Sequence, residues 1–158
     1  MEFQVRKATK NDMPSVLKLI NELAVYEREP DAVEVTVADL ERDGFGDQAL
    51  FNCFVAEAED KIVGMALFYN RYSTWKGKTI HLEDLIVNED YRGKGIGVQL
   101  YKKVMQFALE ENIKRVEWVV LDWNTPAVNF YKNTGASVFS EWDTVQFDQD
   151  SIKKFLNL

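Results

Sequence analysis

Arg92, Gly93, Lys94, Gly95 and Gly97 crowd into the stretch DYRGKGIG at positions 90–97, between the apolar run Leu85, Ile86, Val87 and a helical pattern that begins at Ile96. A strand that runs into a glycine-rich turn and then a helix offers unpaired backbone N–H groups at the positive end of the helix dipole. Glycines let an oxyanion reach that backbone without meeting a Cβ, and Arg92 and Lys94 add charge. The chemistry written here is the holding of a phosphate or pyrophosphate. Simple turn formation is the competing use of the same glycines. Two nucleotide motifs do not fit. In the P-loop pattern Gly93-Lys94 would be followed by Ser or Thr to meet magnesium, and Gly95 stands there instead. In the dinucleotide fingerprint Gly93 and Gly95 supply G-x-G, but Val98 occupies the third glycine's place. The spacing that fits is R-x-x-G-x-G, formed by Arg92, Gly95 and Gly97 after the fourth strand.

Other residues carry chemistry upstream and downstream. Glu83 and Asp84 interrupt the apolar strand TIHLEDLIV at positions 79–87. Strand neighbours face opposite sides, so at least one carboxylate must point toward a covered face or a cleft. A hydrogen-bonded structural acid is the plain alternative. His81, the only histidine, lies two residues from Glu83 and reads as an ordinary strand residue. Tyr131, beside Phe130, reads on its own as a helix aromatic. Trp75, Trp118, Trp123 and Trp142 suit packing, although an aromatic wall near carboxylates would also suit an alkylammonium chain. Cys53 is the one cysteine and sits in the apolar run 51–56, so no disulfide framework and no metal-ligand spacing exists.

Nineteen basic against 26 acidic side chains give a net charge of −7 over 158 residues, which argues against a nucleic-acid footprint and favours a cationic small substrate. The opening MEFQVRK has no long apolar stretch and no segment is apolar enough to span a bilayer. No signal peptide, no membrane partner and a reducing, cytoplasmic setting are therefore expected.

The elements that must position these residues follow from periodicity. Glu2–Ala8 alternates as a strand. Thr9 and Asp12 have capping-box spacing ahead of Val16, Leu17, Ile20, Leu23 and Ala24, and Thr36 and Asp39 repeat it before a short helix that stops near Gly44 and Gly46. Strands are expected at 50–57, 62–72 and 79–87, the first two joined tightly through Glu59-Asp60-Lys61 as an antiparallel hairpin. Ile96 to Asn112 is an amphipathic helix and 115–121 a strand. Pro126 and Gly135 bracket a helix of about two turns. A last strand near 138–147 and a short terminal turn close the chain. The pattern is one α/β domain over residues 1–158 with a mixed sheet.

The combination LEDLIVNEDYRGKGIG and WNTPAVNFYKNTGAS resembles the GNAT superfamily of N-acetyltransferases, and within it the spermidine/spermine (diamine) and thialysine N-acetyltransferase branch. LAVYE and DGFGD resemble it as well, so the likeness covers most of the chain. The resemblance implies a single GNAT domain with a mixed central sheet of about six to seven strands and about four helices. It implies that acetyl-CoA is the co-substrate, with no metal. The pyrophosphate would be held by backbone from Arg92, Gly93, Lys94, Gly95, Ile96, Gly97 and Val98, and the pantetheine arm would pair along Leu85, Ile86 and Val87. Asn124, Thr125, Pro126, Ala127 and Tyr131 complete the cofactor side.

By the same resemblance Tyr131 is the acid that protonates the departing thiolate. Glu83 helps to remove a proton from the ammonium, because only a neutral amine attacks a thioester. Tyr26, Glu27, Glu83, Asp84, Glu117 and Trp118 fall where the branch lines its acceptor site, and a homodimer is implied. The chain departs from the branch at Tyr72-Ser73-Thr74-Trp75, which lacks an acid before its tryptophan, and at the short segment Ser140-Glu141-Trp142-Asp143. Fewer carboxylates favour a shorter acceptor, such as thialysine, another lysine-like amine or a diamine, over a long polyamine. A catalytically silent acyl-CoA-binding or sensing module and a protein lysine acetyltransferase are the alternatives.

Overall fold

A computed structural model describes residues 1–158 and resolves into two compact units, Met1–Val119 and Val120–Leu158. The first unit contains β1 (Gln4–Lys7), α1 (Met13–Tyr26), α2 (Val37–Phe45), β2 (Asn52–Ala58), β3 (Lys61–Ser73), β4 (Gly77–Val87), α3 (Ile96–Glu110) and β5 (Val116–Glu117). The second contains α4 (Thr125–Asn133) and α5 (Gln149–Phe155).

The strands lie in the order β1-β2-β3-β4-β5, antiparallel as far as β4 and parallel between β4 and β5. The β2–β3 link is the tight hairpin expected. Glu59 and Asp60 are both left-handed, with φ of 52° and 58°, as a type I′ turn requires. Strand alternation then sorts the core. Cys53, Val55, Met65, Leu67 and Ile86 meet Met13, Val16, Leu19 and Leu40 from α1 and α2. Phe54 and Phe68 turn the other way, onto Phe107 of α3, with ring centroids 6.3 and 5.1 Å away. Met13, Val16 and Met65 are wholly buried, each contributing about 2 kcal/mol.

Close approach explains Gly64. A Cβ there would lie 3.0 Å from the Ile86 carbonyl oxygen and 3.1 Å from Leu100 Cδ1 of α3, so a side chain at this point of β3 would require its neighbours to give by a few tenths of an ångström.

Both capping-box spacings are used. The Asp12 carboxylate accepts from the Thr9 amide at 2.7 Å, and Asp39 accepts from the Thr36 amide at 2.9 Å. Asp12 also receives a two-pronged bond from Arg6, at 2.8 and 3.0 Å, while Arg6 Nε donates to Glu57 at 2.7 Å. The Arg6 guanidinium holds the Asp12 carboxyl down at about 2.

Three expectations are corrected. The sheet has five strands rather than six to seven, because residues 138–147 form none. A strand exists only through a ladder partner, and the charged segment Ser140-Glu141-Trp142-Asp143 breaks the alternation that would recruit one. Residues 115–121 contribute a strand of only two residues, paired as Ile80↔Val116 and His81↔Glu117. The α-helices number five rather than four, since the terminal turn is α5, capped by Asp148 accepting from the Ser151 amide at 2.7 Å.

Candidate active site

β4 runs out at Val87 into the glycine loop. Asn88 and Glu89 are fastened to α1 by Glu22, whose carboxylate accepts from the Asn88 side chain and the Glu89 amide, both at 3.0 Å. Gly93 and Gly95 are left-handed, at φ 73° and 82°, and a Cβ at either would meet nothing within 4 Å. Glycine is therefore needed for backbone direction, and the space above the loop is open. Gly95 is the N-cap of α3 and supplies no side chain to it. The first amide accepted inside the helix is that of Gln99, by the Gly95 carbonyl at 3.1 Å, so those of Ile96, Gly97 and Val98 precede the ladder. Three such amides at the positive end of a 15-residue helix fit a pyrophosphate.

The two cations serve the loop itself. Arg92 Nε donates to the Val87 carbonyl at 2.9 Å, with its guanidinium 5.4 Å from the Tyr26 ring centre and 3.8 Å from Glu22. Lys94 Nζ donates to the Asp90 carbonyl at 3.0 Å and sits 5.0 Å over the Tyr91 ring. Tyr26, expected against the acceptor, thus lies under Arg92.

Leu85, Ile86 and Val87 sit on a half-used strand edge. The Asn88 amide donates to the Val63 carbonyl at 2.8 Å, which sets the phase of the ladder. By antiparallel alternation Ile86 bonds toward β3 while Leu85 and Val87 turn their backbone groups to the other edge. The β5 register on that edge ends at His81.

The carboxylates meet at a β-bulge. Leu67 pairs with Asp84 and Phe68 with Leu82, so Glu83 is the extra residue of β4. The bulge overturns the expectation that neighbours face opposite sides. Glu83 reaches back along the His81 side, with Oε2 accepting from the Tyr69 hydroxyl at 3.2 Å and lying 3.4 Å from His81 Nε2. Asp84 lies beside it, and burial followed by the charges of Glu83 and Glu27 pushes its carboxyl up to about 6. Partial burial and then Glu83 raise Glu27, at the end of α1. Three acids therefore share one locality, and the Glu83 charge makes ionisation of both Asp84 and Glu27 harder. Tyr69 was not singled out in the sequence. The hairpin register that places it opposite His81 is the signal that finds it.

Glu117 and Trp118 are otherwise engaged. The Glu117 carboxylate pairs with Arg71 at 2.8 Å and Arg115 at 3.2 Å, and the Trp118 ring stands edge-on to Tyr101 of α3 at 5.7 Å. Cys53 is buried and burial pushes its thiol up to about 12, as befits a core residue. Of the tryptophans read as packing, Trp75 and Trp142 are instead 82% and 80% exposed.

In the second unit, taken by itself, Asn124 caps α4, its side chain accepting from the Ala127 amide at 3.4 Å, with Thr125 and Pro126 in the first turn. Tyr131 stands two turns on, its ring 5.4 Å from that of Phe130. Its carbonyl accepts from the Thr134 hydroxyl at 2.7 Å and the Ala136 amide at 3.2 Å, around a left-handed Gly135.

A glycine-capped helix after a bulged β4, on a mixed sheet, is the arrangement of an acyltransferase. The sequence agrees: residues 13–136 match the model of the acetyltransferase (GNAT) family, and the chain belongs to that family of acetyl-CoA-using N-acetyltransferases. It is 38% identical to the thialysine N-epsilon-acetyltransferase of Bos taurus, over 95% of both chains. It is 39% identical to the human spermidine/spermine N(1)-acetyltransferase-like protein 1 over 95% of this chain, which spans only 23% of that longer relative. Among solved structures, an integron cassette protein from the V. cholerae mobile metagenome superposes with a TM-score of 0.81 at 26% identity, covering 100% of this chain and 99% of that one. An aminoglycoside acetyltransferase from an uncultured soil sample gives 0.77 at 22% identity over 92% and 95%, a likeness of fold alone. No helix is long and apolar enough to cross a membrane, and no group of three or more His, Cys, Asp or Glu could hold a metal.

Proposed function

We propose that the chain, working as one GNAT domain, transfers acetyl from acetyl-CoA to a primary amine of a small cationic acceptor: thialysine or a lysine-like amine, a diamine or a polyamine. The observation that carries this reading is the bulge at Glu83, which gathers Glu83, Asp84 and Glu27 just ahead of the glycine loop. Acidic side chains in one locality attract an ammonium, and the loop's amides attract a pyrophosphate. The relative from Bos taurus, matched end to end, is named for thialysine, which supports an amino-acid-sized acceptor.

Acetyl-CoA supplies the activated acyl group, whose carbonyl carbon an amine can attack directly with loss of the thiolate. The chain's own residues do the rest. Gly93 to Val98 hold the phosphates and the Leu85–Val87 edge aligns the arm. Glu83 takes the proton that the ammonium must lose, through water or directly. Tyr131 gives a proton to the leaving sulfur, and Asn124 orders the start of α4 beside it in the sequence. Asp84 and Glu27 hold the acceptor's charge, with Tyr26, Glu117 and Trp118 at the margins of its site. Tyr131→Phe with full turnover and normal acetyl-CoA binding would remove Tyr131 from this scheme.

Two further expectations belong with the proposal. Phe139, Trp142, Val145 and Phe147 are 62–94% exposed, a run of apolar side chains that supports a homodimer, testable by light scattering. The free, buried thiol of Cys53 supports a reducing, cytoplasmic setting. We expect neither nucleic acid nor membrane as a partner.

The test is to incubate purified protein with acetyl-CoA and a panel of thialysine, lysine, ornithine, diamines, polyamines and a lysine-rich peptide, following thiol release. Turnover with a small amine is expected. Turnover with the peptide alone would make it a protein acetyltransferase, and tight acetyl-CoA binding without turnover would make it a sensing module.

A further inference from the structure

We propose that His81 and Tyr69 are positioning residues that aim the Glu83 carboxylate, a role resting on the reading of Glu83 as the acceptor of the ammonium proton. The bulge creates the need. Glu83 is the residue that the β3–β4 register skips, and its side chain is 52% exposed with three free torsions. Left alone, such a carboxylate would sample many orientations.

One donor and one ring nitrogen converge on one of its oxygens. The Tyr69 hydroxyl lies 3.2 Å and His81 Nε2 3.4 Å from Oε2, so Oε1 is the oxygen left to receive a proton. The two rings also brace each other, with centroids 5.3 Å apart at 37°, on residues that face directly across β3 and β4. The imidazole is 12% exposed and its Nδ1 is buried without a partner. A buried ring nitrogen left unpaired is a cost that packing alone does not explain. With no acceptor at Nδ1, the ring hydrogen belongs on Nε2, the nitrogen 3.4 Å from Glu83 Oε2. The charged and titratable groups around this carboxylate are Tyr69 and Arg71 from β3, His81 and Asp84 from β4, Glu117 across from His81 on β5, and Glu27 from α1. A hydrogen bond donated to a carboxylate favours its ionised form, so losing a donor favours the protonated one.

The experiment compares Tyr69→Phe, His81→Leu, His81→Gln and Glu83→Gln in kcat, in KM for each substrate and in the pH profile of kcat/KM, on protein of verified fold. We expect Tyr69→Phe and His81→Leu each to lower kcat by about fivefold to tenfold with KM for acetyl-CoA unchanged, and to move the acidic limb of the profile to higher pH. His81→Gln, which keeps an N–H near the Nε2 position, restores kcat to within about threefold and returns the limb. A structural role alone would lower the melting temperature without moving the limb. If Glu83→Gln is impaired while Tyr69→Phe and His81→Leu turn over within about twofold and keep their limb, the positioning role is overturned and the Glu83 reading stands. Full turnover in Glu83→Gln overturns both. Should His81→Leu fail to fold, Tyr69→Phe alone decides, by the same limb.

Discussion

Asp84 and Gly95 are eleven positions apart, yet the two regions around them are built on opposite plans. Around Gly95 the attraction for a ligand would come from backbone amides. The side chains that look like the ligands, Arg92 and Lys94, are spent on carbonyls of the loop. Around Asp84 the attraction would come from side chains, and the backbone's part is one extra residue that turns two neighbouring acids to the same locality. A backbone site tolerates exchange of its side chains. A side-chain site tolerates none.

The largest effect that separates the two plans belongs to Glu83→Gln. If the carboxylate takes the ammonium proton, kcat falls by about 100-fold or more while KM for acetyl-CoA holds, read in steady-state kinetics. An equal rise in acetyl-CoA KM would break the separation. Next comes Gly95→Ala. A side chain in the left-handed region costs about 1 kcal/mol and tilts the amides, so KM for acetyl-CoA rises by about tenfold and KM for the acceptor stays put.

Asp84→Asn acts on stability. An acid raised from 3.8 to about 6 by folding holds its proton longer in the native state. Stability therefore falls as pH climbs from about 4 to about 6 and stays lowered above that. Removing the charge should raise apo stability at pH 8 by about 2 kcal/mol and flatten that part of the urea-midpoint profile, while weakening acceptor binding. The smallest effect is reserved for Lys94→Ala. An exposed cation tied to a carbonyl is worth under about 1 kcal/mol, so acetyl-CoA KM should move by less than about threefold. A tenfold rise would show that the loop binds through its side chains after all.

The contrast also explains what could be read in advance. Glycine dictates backbone conformation by residue type, so Gly93, Gly95 and Gly97 announced the loop, and Thr36 with Asp39 announced a helix start. The Glu59-Asp60 hairpin was legible because two strands joined through so short a charged link have few ways to turn. A bulge has no residue signature. Nothing in HLEDL says that Glu83 is skipped, and strict alternation would send Glu83 and Asp84 to opposite faces. Tyr69 was hidden for the same reason, since its value depends on the partner across the ladder. The strand expected at 138–147 failed on the same point: alternation describes one chain segment, and a sheet needs two.

Spatial order in the sheet repeats chain order from β1 to β4, and the β2–β3 and β3–β4 pairings close over short turns. Such local pairings form early, whereas β5 can join only after the whole of α3 has been laid down. In a chain still being synthesised the whole β4 edge is thus bare until then, and Leu85–Val87, beyond the β5 register, is its apolar stretch open to other chains. The same unfilled edge that would welcome a pantetheine arm in the finished protein is where misassembly would begin while that arm is absent.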